Sequence, residues 1–551
     1  MNSEVDQQRH QEEVRQISDI VGEDGRWQRK VFILAFLLQI PSCWHTLVMT
    51  FLAPNVDHWC KRTLLDSNWT LSQWKSENIP LEMDRGEQLF SKCKMYVKTG
   101  RNISAPGLEP NVGNIDFCKD WDYDNSLFTS TIVSEWNLVC DREWLVSMSQ
   151  SVFMCGFLVA VLVFGQMADR YGRRPVILIC IVLTNVFGIL CTFSPNFLVF
   201  SILRFLIAVG TAGGATTSFV LVMEVVGPQQ RTILGVGIQF GWALGYVLLS
   251  GLAWFIRDWR VLQLAISLPW LSLAAYWWLL PESPRFFLTH NRSDEAEKVL
   301  ENAAKENGRD VATVRSKLRI LCDLIAKENG SSNKGTALDL LKTPNMRKKT
   351  LIIYLNWFVD AFVYFGLSFN TNNLGGSAFV NFLIAGIVEF PSTLVTMFTL
   401  KYLGRKKPLI ATMMLGGLGC LLSIPVPKDL IWMRITVAMM GKFCIAASFA
   451  TIYVYSAEIY PTVVRNIGIG ISSTFARIGS IVAPFVKEIG TATNPGVPLA
   501  IFGIMSVVAG LTVIMLPETN NLPLPDTLEE GEAFGKSTEE KEETRPLLVR
   551  V

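Results

Sequence analysis

The chain has 551 residues, of which 50% are hydrophobic and 18% are charged, and its mean hydropathy is +0.32. Soluble proteins of this length are rarely so apolar, so the composition favours an integral membrane protein. The formal net charge is only +2, and no basic patch interleaved with aromatic residues is found, which argues against nucleic acid as a partner.

Twelve apolar runs follow one another along the chain. Residues 1–30 are polar, lack the pattern of a cleavable signal peptide and are expected in the cytosol. The first run covers 31–53, which is long enough to cross ~30 Å of hydrocarbon. The others cover 146–168, 176–194, 197–222, 232–256, 261–280, 350–369, 376–400, 409–426, 431–456, 464–486 and 497–516. We therefore predict an all-α membrane protein with twelve transmembrane helices.

Basic residues in the connecting segments give the direction of the spans. Arg170, Arg173 and Arg174 follow the second run, and Lys401 and Arg405 follow the eighth. Short loops rich in Lys and Arg stay in the cytoplasm, so we expect both termini there. The predicted parts are a first six-helix half at 31–280 with an extracellular loop at 54–145, cytosolic linker helices at 281–349, a second half at 350–516 and a cytosolic tail at 517–551.

The large loop 54–145 has the features of an extracellular segment. It carries the glycosylation sequons at Asn68 and Asn102. It also holds four cysteines, an even number that predicts two disulfides in an oxidising compartment. The three pairings of these cysteines remain open: Cys60, Cys93, Cys118 and Cys140.

The chain repeats itself weakly with a period near 235 residues. Gly172–Pro175 is matched by Gly404–Pro408, and Pro281-Glu282 is matched by Pro517-Glu518. Glu224 and Arg231 recur as Glu458 and Arg465. This pattern predicts two six-helix halves with a binding site between them at mid-membrane.

The segment Gly165–Arg174 resembles the signature of the major facilitator superfamily. In that superfamily the segment belongs to a charged cluster that latches the cytoplasmic face in one of two states. The second copy has Lys401 where the first has Asp169, which leaves the second half without that acid. The resemblance implies latch roles for Asp169, Arg173, Arg174, Glu224, Arg231, Glu282, Arg285, Glu458 and Arg465.

Two further motifs narrow the resemblance. Pro281–Arg285 and Tyr455–Asn466, together with the cysteine-bearing loop, resemble the organic cation/carnitine transporter family. The resemblance implies a secondary-active carrier that works by alternating access around a small organic ion. The sequence contains no catalytic or nucleotide-binding motif and only four scattered histidines, so we expect no enzyme activity, no cofactor and no metal. The resemblance makes Na+ a candidate coupling ion.

Charged residues inside the predicted spans are candidates for the substrate site, because charges at membrane depth are expensive and commonly functional. Arg477 resembles the position that is acidic in dedicated cation carriers and Arg in carnitine and organic anion carriers. An Arg there can pair with a substrate carboxylate. Alternatively, Arg477 pairs internally with Glu389 or Asp360. Lys442 is a further candidate, whereas we expect Arg204 and Arg434 to reach a membrane surface.

Aromatic residues supply the second half of the predicted site. Trp357 and Tyr364 are seven residues apart and share a helix face, beside Phe365. Aromatic rings attract quaternary ammonium groups with about 0.5–2 kcal/mol each. Trp44, Gln239 and Tyr246 are added as further wall residues, although core packing is the alternative for any single aromatic. Together with Arg477, this set predicts a site for a cationic or zwitterionic, carnitine-like compound.

The prediction leaves two alternatives and one sorting question open. An organic anion exchanger is the alternative within the same class, and a non-transporting membrane receptor or scaffold is the alternative outside it. Glu543 with Leu547 and Leu548 resembles an adaptor-binding sorting signal in a tail that we expect to be disordered. We expect the plasma membrane as the location, with an endosomal or lysosomal membrane as the alternative.

Overall fold

The computed structural model describes residues 16–62, 69–84, 87–96, 115–331, 336–371, 374–427, 429–494, 496–520 and 522–535. The two sequons at Asn68 and Asn102 lie outside these residues, as do Glu543, Leu547 and Leu548. The predictions of glycosylation and of a sorting signal are therefore untouched by the structure.

Twelve long helical stretches, α1 to α12, correspond to the twelve predicted spans. Eleven are long and apolar enough to cross a membrane, and α9 has 17 residues. Several are interrupted at one position and continue in the same stretch. Their bounds are α1 Arg26–Leu47 with Met49–Leu52, α2 Trp144–Tyr171, α3 Arg173–Thr192, α4 Phe197–Val225, α5 Pro228–Gly237 with Gln239–Phe255, α6 Trp259–Leu279, α7 Pro344–Phe369, α8 Ala378–Tyr402, α9 Lys406–Leu422, α10 Ile431–Ile459, α11 Arg465–Val482 with Phe485–Ala492, and α12 Gly496–Val513.

Two glycines make the equivalent turns of the sequence repeat. Gly172 joins α2 to α3 with φ +105°, and Gly404 joins α8 to α9 with φ +85°. A side chain is strained at such φ values, which explains why glycine stands at both positions. In the first half α2 and α3 pack on α4, and in the second half α9 packs on α10 and α12 while α7 packs on α11. The predicted two-half architecture is confirmed.

A small disulfide-bonded domain lies between α1 and α2. Its strands are β1 His58–Cys60, β2 Leu81–Asp84, β3 Glu87–Phe90, β4 Lys94–Tyr96, β5 Ile115–Phe117 and β6 Trp121–Tyr123, paired antiparallel as β1–β6, β2–β3 and β4–β5. Disulfides join Cys60 to Cys118 and Cys93 to Cys140, which selects one of the three pairings left open. Short helices at Leu71–Asn78 and Ile132–Trp136 complete the domain.

The segment after α6 packs on the first half. It forms helices Pro284–Thr289, Ser293–Glu306 and Val314–Ser331, followed by Asp339–Lys342 before α7. Ala303, Leu300 and Phe286 join a core with Trp27 and Ile20 from the N-terminal segment. The first three of these helices are thus bound to the first half, whereas Asp339–Lys342 packs on α7 of the second half.

The expectation of a disordered tail is wrong for residues 522–535. A helix at Leu528–Ala533 docks against the N-terminal end of α7. The backbone amides of Asn345 and Met346 donate to the Glu532 carboxylate at 3.0 and 2.8 Å. The buried Lys349 ammonium donates to the Gly531 carbonyl at 2.9 Å. The first amides of a helix have no acceptors within that helix. The polar groups of this segment supply acceptors to the first amides of α7, which explains the polar composition.

The two halves meet at one end of the molecule and separate at the other. We call the end that carries the disulfide-bonded domain the loop face, and the end that carries residues 16–25 and 522–535 the terminal face. The contacts along one face of α5 show how the two halves separate from the loop face toward the terminal face. Ser250 donates to the Phe379 carbonyl of α8 at 3.0 Å, and Tyr246 lies 4.3 Å from the Phe382 ring. Two turns further along the same face of α5, Gln239 is exposed, although the adjacent Phe240 still stacks on Phe390 of α8 at 6.0 Å.

One face of α2 shows the same change: it contacts α11 near the loop face and becomes exposed toward the terminal face. Ser147 donates to Glu488 at 2.5 Å, and Ser151 donates to the Ile481 carbonyl at 2.7 Å. Toward the terminal face, a side-chain carbon built at Gly165 would meet no atom within 4 Å, and the Asp169 side chain is 77% exposed. The cleft between the halves therefore opens to the terminal face.

Candidate functional site

A buried ion pair lies at mid-membrane in the second half. The Lys442 ammonium of α10 is 3.2 Å from the Glu389 carboxylate of α8, and these side chains are 3% and 10% exposed. Lys442 also donates to the Ser368 hydroxyl at 2.5 Å. Its nitrogen sits 3.5 Å from the centre of the Tyr364 ring. Lys442 therefore occupies the position that a cationic substrate group would take between a carboxylate and an aromatic face.

Tyr364 connects this pair to the other half of the molecule. Its hydroxyl donates to Glu389 at 2.9 Å and accepts from the Trp242 indole of α5 at 2.9 Å. This is a direct polar contact between the halves at the depth of the predicted site. A relative movement of the halves consequently acts on α7 at Tyr364.

The aromatic wall continues along α7 and α10. The Trp357 indole donates to the Ser456 hydroxyl at 2.8 Å, and its ring meets Tyr453 edge-on at 4.2 Å. Phe449 packs between Tyr364 and Tyr453. In this group Phe449 and Tyr453 are half-buried, whereas Trp357 and Tyr364 are buried, so Phe449 and Tyr453 are its partly exposed rings.

Arg477 of α11 has no acidic partner among the described residues. Its guanidinium lies 5.2 Å from the centre of the Phe157 ring of α2, across the cleft, and its side chain is half-buried. The Nε atom makes no hydrogen bond. Because Glu389 pairs with Lys442, the alternative of an internal Arg477–Glu389 pair is not what the structure shows.

Other predicted wall residues take different places. Gln239 is exposed on the stripe that lines the opening. Trp44 is packed in the core of the first half, where its indole donates to the Gly245 carbonyl at 2.9 Å, and Tyr246 is fully buried. Phe365 stacks on Phe369 inside the second half. Asp360 is fully buried and lines no described opening.

The predicted latch of the first half is a cluster around Arg173. Its guanidinium lies 2.8 Å from Glu224 and 3.0 Å from Asp169. The backbone amides of Arg173 and Arg174 donate to Glu282 at 2.8 and 3.1 Å. Burial raises the pKa of Glu282, against the lowering effect of these amides.

The second half builds the matching cluster without an acid at Lys401. Arg405 lies 2.8 Å from Glu458, and the amides of Arg405 and Lys406 donate to Glu518 at 3.0 and 3.2 Å. Asp169 is the peripheral member of the first cluster, so its replacement by Lys401 leaves the central pair intact. For Glu518 the backbone donors outweigh burial, and its pKa is lowered.

The remaining predicted latch residues are not in these ion pairs. Arg231 donates to the Val226 carbonyl at 3.3 Å, and its pKa is lowered by burial and then by the nearby charge of Arg285. Arg465 donates to the Tyr460 carbonyl at 3.1 Å. In the described residues no acid lies within 4 Å of Arg231, Arg285 or Arg465. The sequence repeat marked these positions, and in the structure Glu224 binds Arg173 and not Arg231.

The expectation that Arg204 reaches a membrane surface is also wrong. Arg204 is fully buried, donates to the His45 carbonyl at 2.8 Å and to Gln150 at 3.3 Å, and lies 4.1 Å from the centre of the Phe153 ring. These contacts replace water around the charge and fix α1, α2 and α4 to one another.

Sequence reasoning missed Trp242, Ser368 and Phe157. Trp242 shares its helix stripe with Gln239 and Tyr246, so the same periodicity could have found it. Nothing in the sequence marked Ser368 or Phe157, because their roles depend on partners from other helices.

One group with metal-ligand spacing and one cavity lie away from this site. His58, Cys93 and Cys140 come together on the loop face, but both cysteines are bonded in a disulfide and cannot act as thiolate ligands. A cavity of about 60 Å³ between the halves near the loop face is lined by Thr50, Gln150 and Lys487, among others, and by none of the predicted substrate residues. Neither feature competes with the mid-membrane arrangement as a substrate site.

Comparison with known proteins gives a consistent result. A family model described as sugar (and other) transporter matches residues 31–529. The organic cation transporter protein of Drosophila melanogaster is 40% identical over 523 residues, covering 94% of each chain. Human organic cation/carnitine transporter 2 is 36% identical over 524 residues, covering 94% of this chain and 93% of its own.

The solved structures that resemble this chain include those of a bacterial carrier. The partially occluded, inward-open xylose transporter XylE of E. coli superposes with a TM-score of 0.61 at 15% identity, covering 90% of this chain and 100% of its own. At that identity the likeness shows the fold alone.

Proposed function

Since this chain belongs to the sugar (and other) transporter family of the major facilitator superfamily, and is a membrane transporter akin to organic cation and carnitine carriers, we propose that it prefers substrates that combine an ammonium group with a carboxylate. The proposal rests on the charge balance of the site. Lys442 already satisfies Glu389, while Arg477 faces the cleft without an acid. A substrate carboxylate would supply the missing counter-charge.

The aromatic residues would hold the ammonium end of such a substrate. Tyr453 borders the cleft, and Tyr364 already binds the Lys442 ammonium by its face. The face of such a ring favours cations through its quadrupole. A carnitine-like zwitterion fits a site with one free guanidinium and one aromatic wall.

The test is uptake of radiolabelled carnitine by cells that express the wild type or Arg477→Asp. We expect saturable uptake by the wild type and a loss of at least tenfold in the variant, because reversing the charge that pairs with the substrate carboxylate should cost more than about 1.4 kcal/mol of binding. Arg319→Asp, an exposed charge reversal on the linker helix, is the matched control and should keep wild-type uptake. Equal uptake by both variants at equal surface expression would refute a substrate role for Arg477.

An organic anion exchanger is the second candidate, and the same observation favours it. If Arg477 is the main recognition charge, a monocarboxylate without an ammonium group should compete with carnitine as well as carnitine itself does. Trans-stimulation of efflux by an external monocarboxylate would then favour exchange. A complete lack of substrate-dependent flux in any of these assays would favour a receptor or scaffold of the same fold.

Further parts of the proposal concern orientation, coupling and location. The basic connections at the terminal face support cytoplasmic termini. Replacing Na+ during carnitine uptake tests sodium as the coupling ion. The plasma membrane is the proposed location, and Leu547→Ala with Leu548→Ala tests whether the tail recruits an adaptor toward endosomes or lysosomes. Surface biotinylation of this double variant, compared with wild type, reads out that shift.

A further inference from the structure

The carboxyl group of Asp360 is isolated in the middle of α7. The residue is fully buried, and neither oxygen makes a hydrogen bond within the described part of the chain. The Ser448 hydroxyl of α10 faces it and is itself without a hydrogen-bonding partner. No described cation lies within 4 Å of Asp360, so no salt bridge balances its charge.

The charged groups of α8 and α10 near this level are engaged elsewhere. Lys442 and Glu389 bind each other, and the Tyr364 hydroxyl on the next turn of α7 donates to Glu389. Tyr453 packs on Trp357. None of these groups is available as a counter-charge to Asp360.

The other helices packed on α7 do not supply a counter-charge either. Arg477 of α11 is directed across the cleft to Phe157, and α12 contains no titratable residue. The short helices Asp339–Lys342 and Leu528–Ala533 contact α7 at its terminal-face end, whereas Asp360 is four turns further along. Asp360 is consequently the one fully buried acid of α7 whose charge the described residues leave uncompensated.

A lone carboxylate in an apolar interior is much less stable than the neutral acid, so such a group takes up a proton when it is sealed from water. The neutral carboxyl can then donate to the Ser448 hydroxyl. In a conformation that hydrates Asp360, the ionised form regains water as its partner. Proton binding and conformation are therefore linked, and protons favour the sealed state.

The structure also shows how the halves act on this turn of α7. The Trp242 indole of the first half donates to Tyr364, which follows Asp360 by one helical turn. When the halves rearrange, this contact transmits the change to the α7 turn that carries Asp360.

We propose that Asp360 is a proton-binding site whose occupation favours the conformation open to the terminal face. The proton comes from water and returns to water, and no other group changes its covalent state. The proposal rests on alternating access in the transporter, but not on the identity of the substrate.

The test uses a reporter of the open cleft in purified protein in lipid nanodiscs. Gly165→Cys places a thiol in the empty space of the opening, and its rate of maleimide labelling is measured between pH 5.5 and 8. Rates are corrected for the parent protein and divided by those of Lys305→Cys, an exposed linker position, which removes the intrinsic pH dependence of the reaction. We expect at least a fivefold higher relative rate at pH 5.5 than at pH 8.

Asp360→Asn mimics the neutral acid and should give the high rate at every pH, whereas Asp323→Asn, which changes an exposed acid, should keep the wild-type profile. Ser448→Ala removes a hydroxyl that can donate to the ionised carboxylate, so it should move the profile to higher pH, which provides a second test if Asp360→Asn does not fold. A pH profile unchanged by Asp360→Asn, or no pH effect in the wild type, would overturn the proposal.

The same assay distinguishes a sodium site from a proton site. If Na+ at constant pH changes the labelling rate and Asp360→Asn abolishes that change, the site belongs to sodium and the proton proposal fails. No substrate is added in the labelling assay, so its result does not depend on whether carnitine is transported.

Discussion

Lys442 is the residue through which the structure differs most from the predicted site. The sequence marked it as a charge at membrane depth, but its partners come from α7 and α8 and could not be predicted. In the structure its ammonium lies between Glu389 and the face of Tyr364. Glu389 and the face of Tyr364 are thus occupied by the protein's own cation, which leaves Tyr453 as the aromatic ring proposed to hold a substrate ammonium group.

Removing one member of this pair should be costly. We expect Lys442→Gln and Glu389→Gln each to lower the free energy of unfolding by about 3–5 kcal/mol, since each leaves a buried charge unpaired. The double variant should recover much of the loss. Thermal unfolding in detergent measures the three proteins, and Lys487→Gln, from a partly exposed pair 3.8 Å apart, is the control with an expected change below about 1 kcal/mol. A double variant less stable than both singles would contradict this interpretation.

Residue identity predicted the chemistry of the site better than its connections. Arg477, Trp357 and Tyr364 were marked by charge, spacing and family resemblance, and the structure places all three in the second half, with Trp357 and Tyr364 two turns apart on α7. Asp360 and Glu389 had the same signal in sequence, yet one is isolated and the other is paired. That difference depends on which helix faces each side chain, and a single sequence does not contain this information.

At the scale of elements, the repeat in the sequence correctly located both turns and both acid clusters, while the tail was misjudged. Residues 522–535 have the composition of a disordered segment, but Glu532 and Lys349 tie them to the start of α7. Binding to a helix end can order a polar segment that has little apolar area to bury.

The tail contact should stabilise the second half measurably. We expect Glu532→Ala to lower the free energy of unfolding by about 1 kcal/mol, because two amides of α7 lose an anionic acceptor. Glu529→Ala, on the exposed side of the same short helix, should have almost no effect. Thermal unfolding of the two variants is compared with wild type, and equal shifts would show that the cap does not contribute.

At the scale of the whole molecule, the halves are held together on the loop face by an aromatic group centred on Phe379. Its ring packs on Phe51 at 5.3 Å, Phe128 at 5.4 Å and Trp254 at 5.3 Å. Phe51 and Trp254 belong to the first half, and Phe128 comes from the disulfide-bonded domain. Such ring pairs contribute about 0.5–1.5 kcal/mol each beyond burial.

Phe379→Ala should therefore weaken closure of the loop face and shift the protein away from the observed conformation. We expect slower labelling of Gly165→Cys in this variant, by about threefold or more, because the opening at the terminal face becomes less populated. Phe398→Ala, at a position that is 62% exposed on the same helix, is the control. An unchanged rate would show that the aromatic group does not set the balance between conformations.

The place of Phe128 has a pharmacological consequence. The segment around it is anchored to the first half, where Glu135 accepts a hydrogen bond from the Trp259 indole at 2.7 Å, while its ring packs on Phe379 of the second half. An antibody or nanobody raised against the disulfide-bonded domain could hold this segment in place and slow turnover from an epitope remote from the substrate. Inhibitors of that kind would be non-competitive, because they would bind a domain outside the transport site.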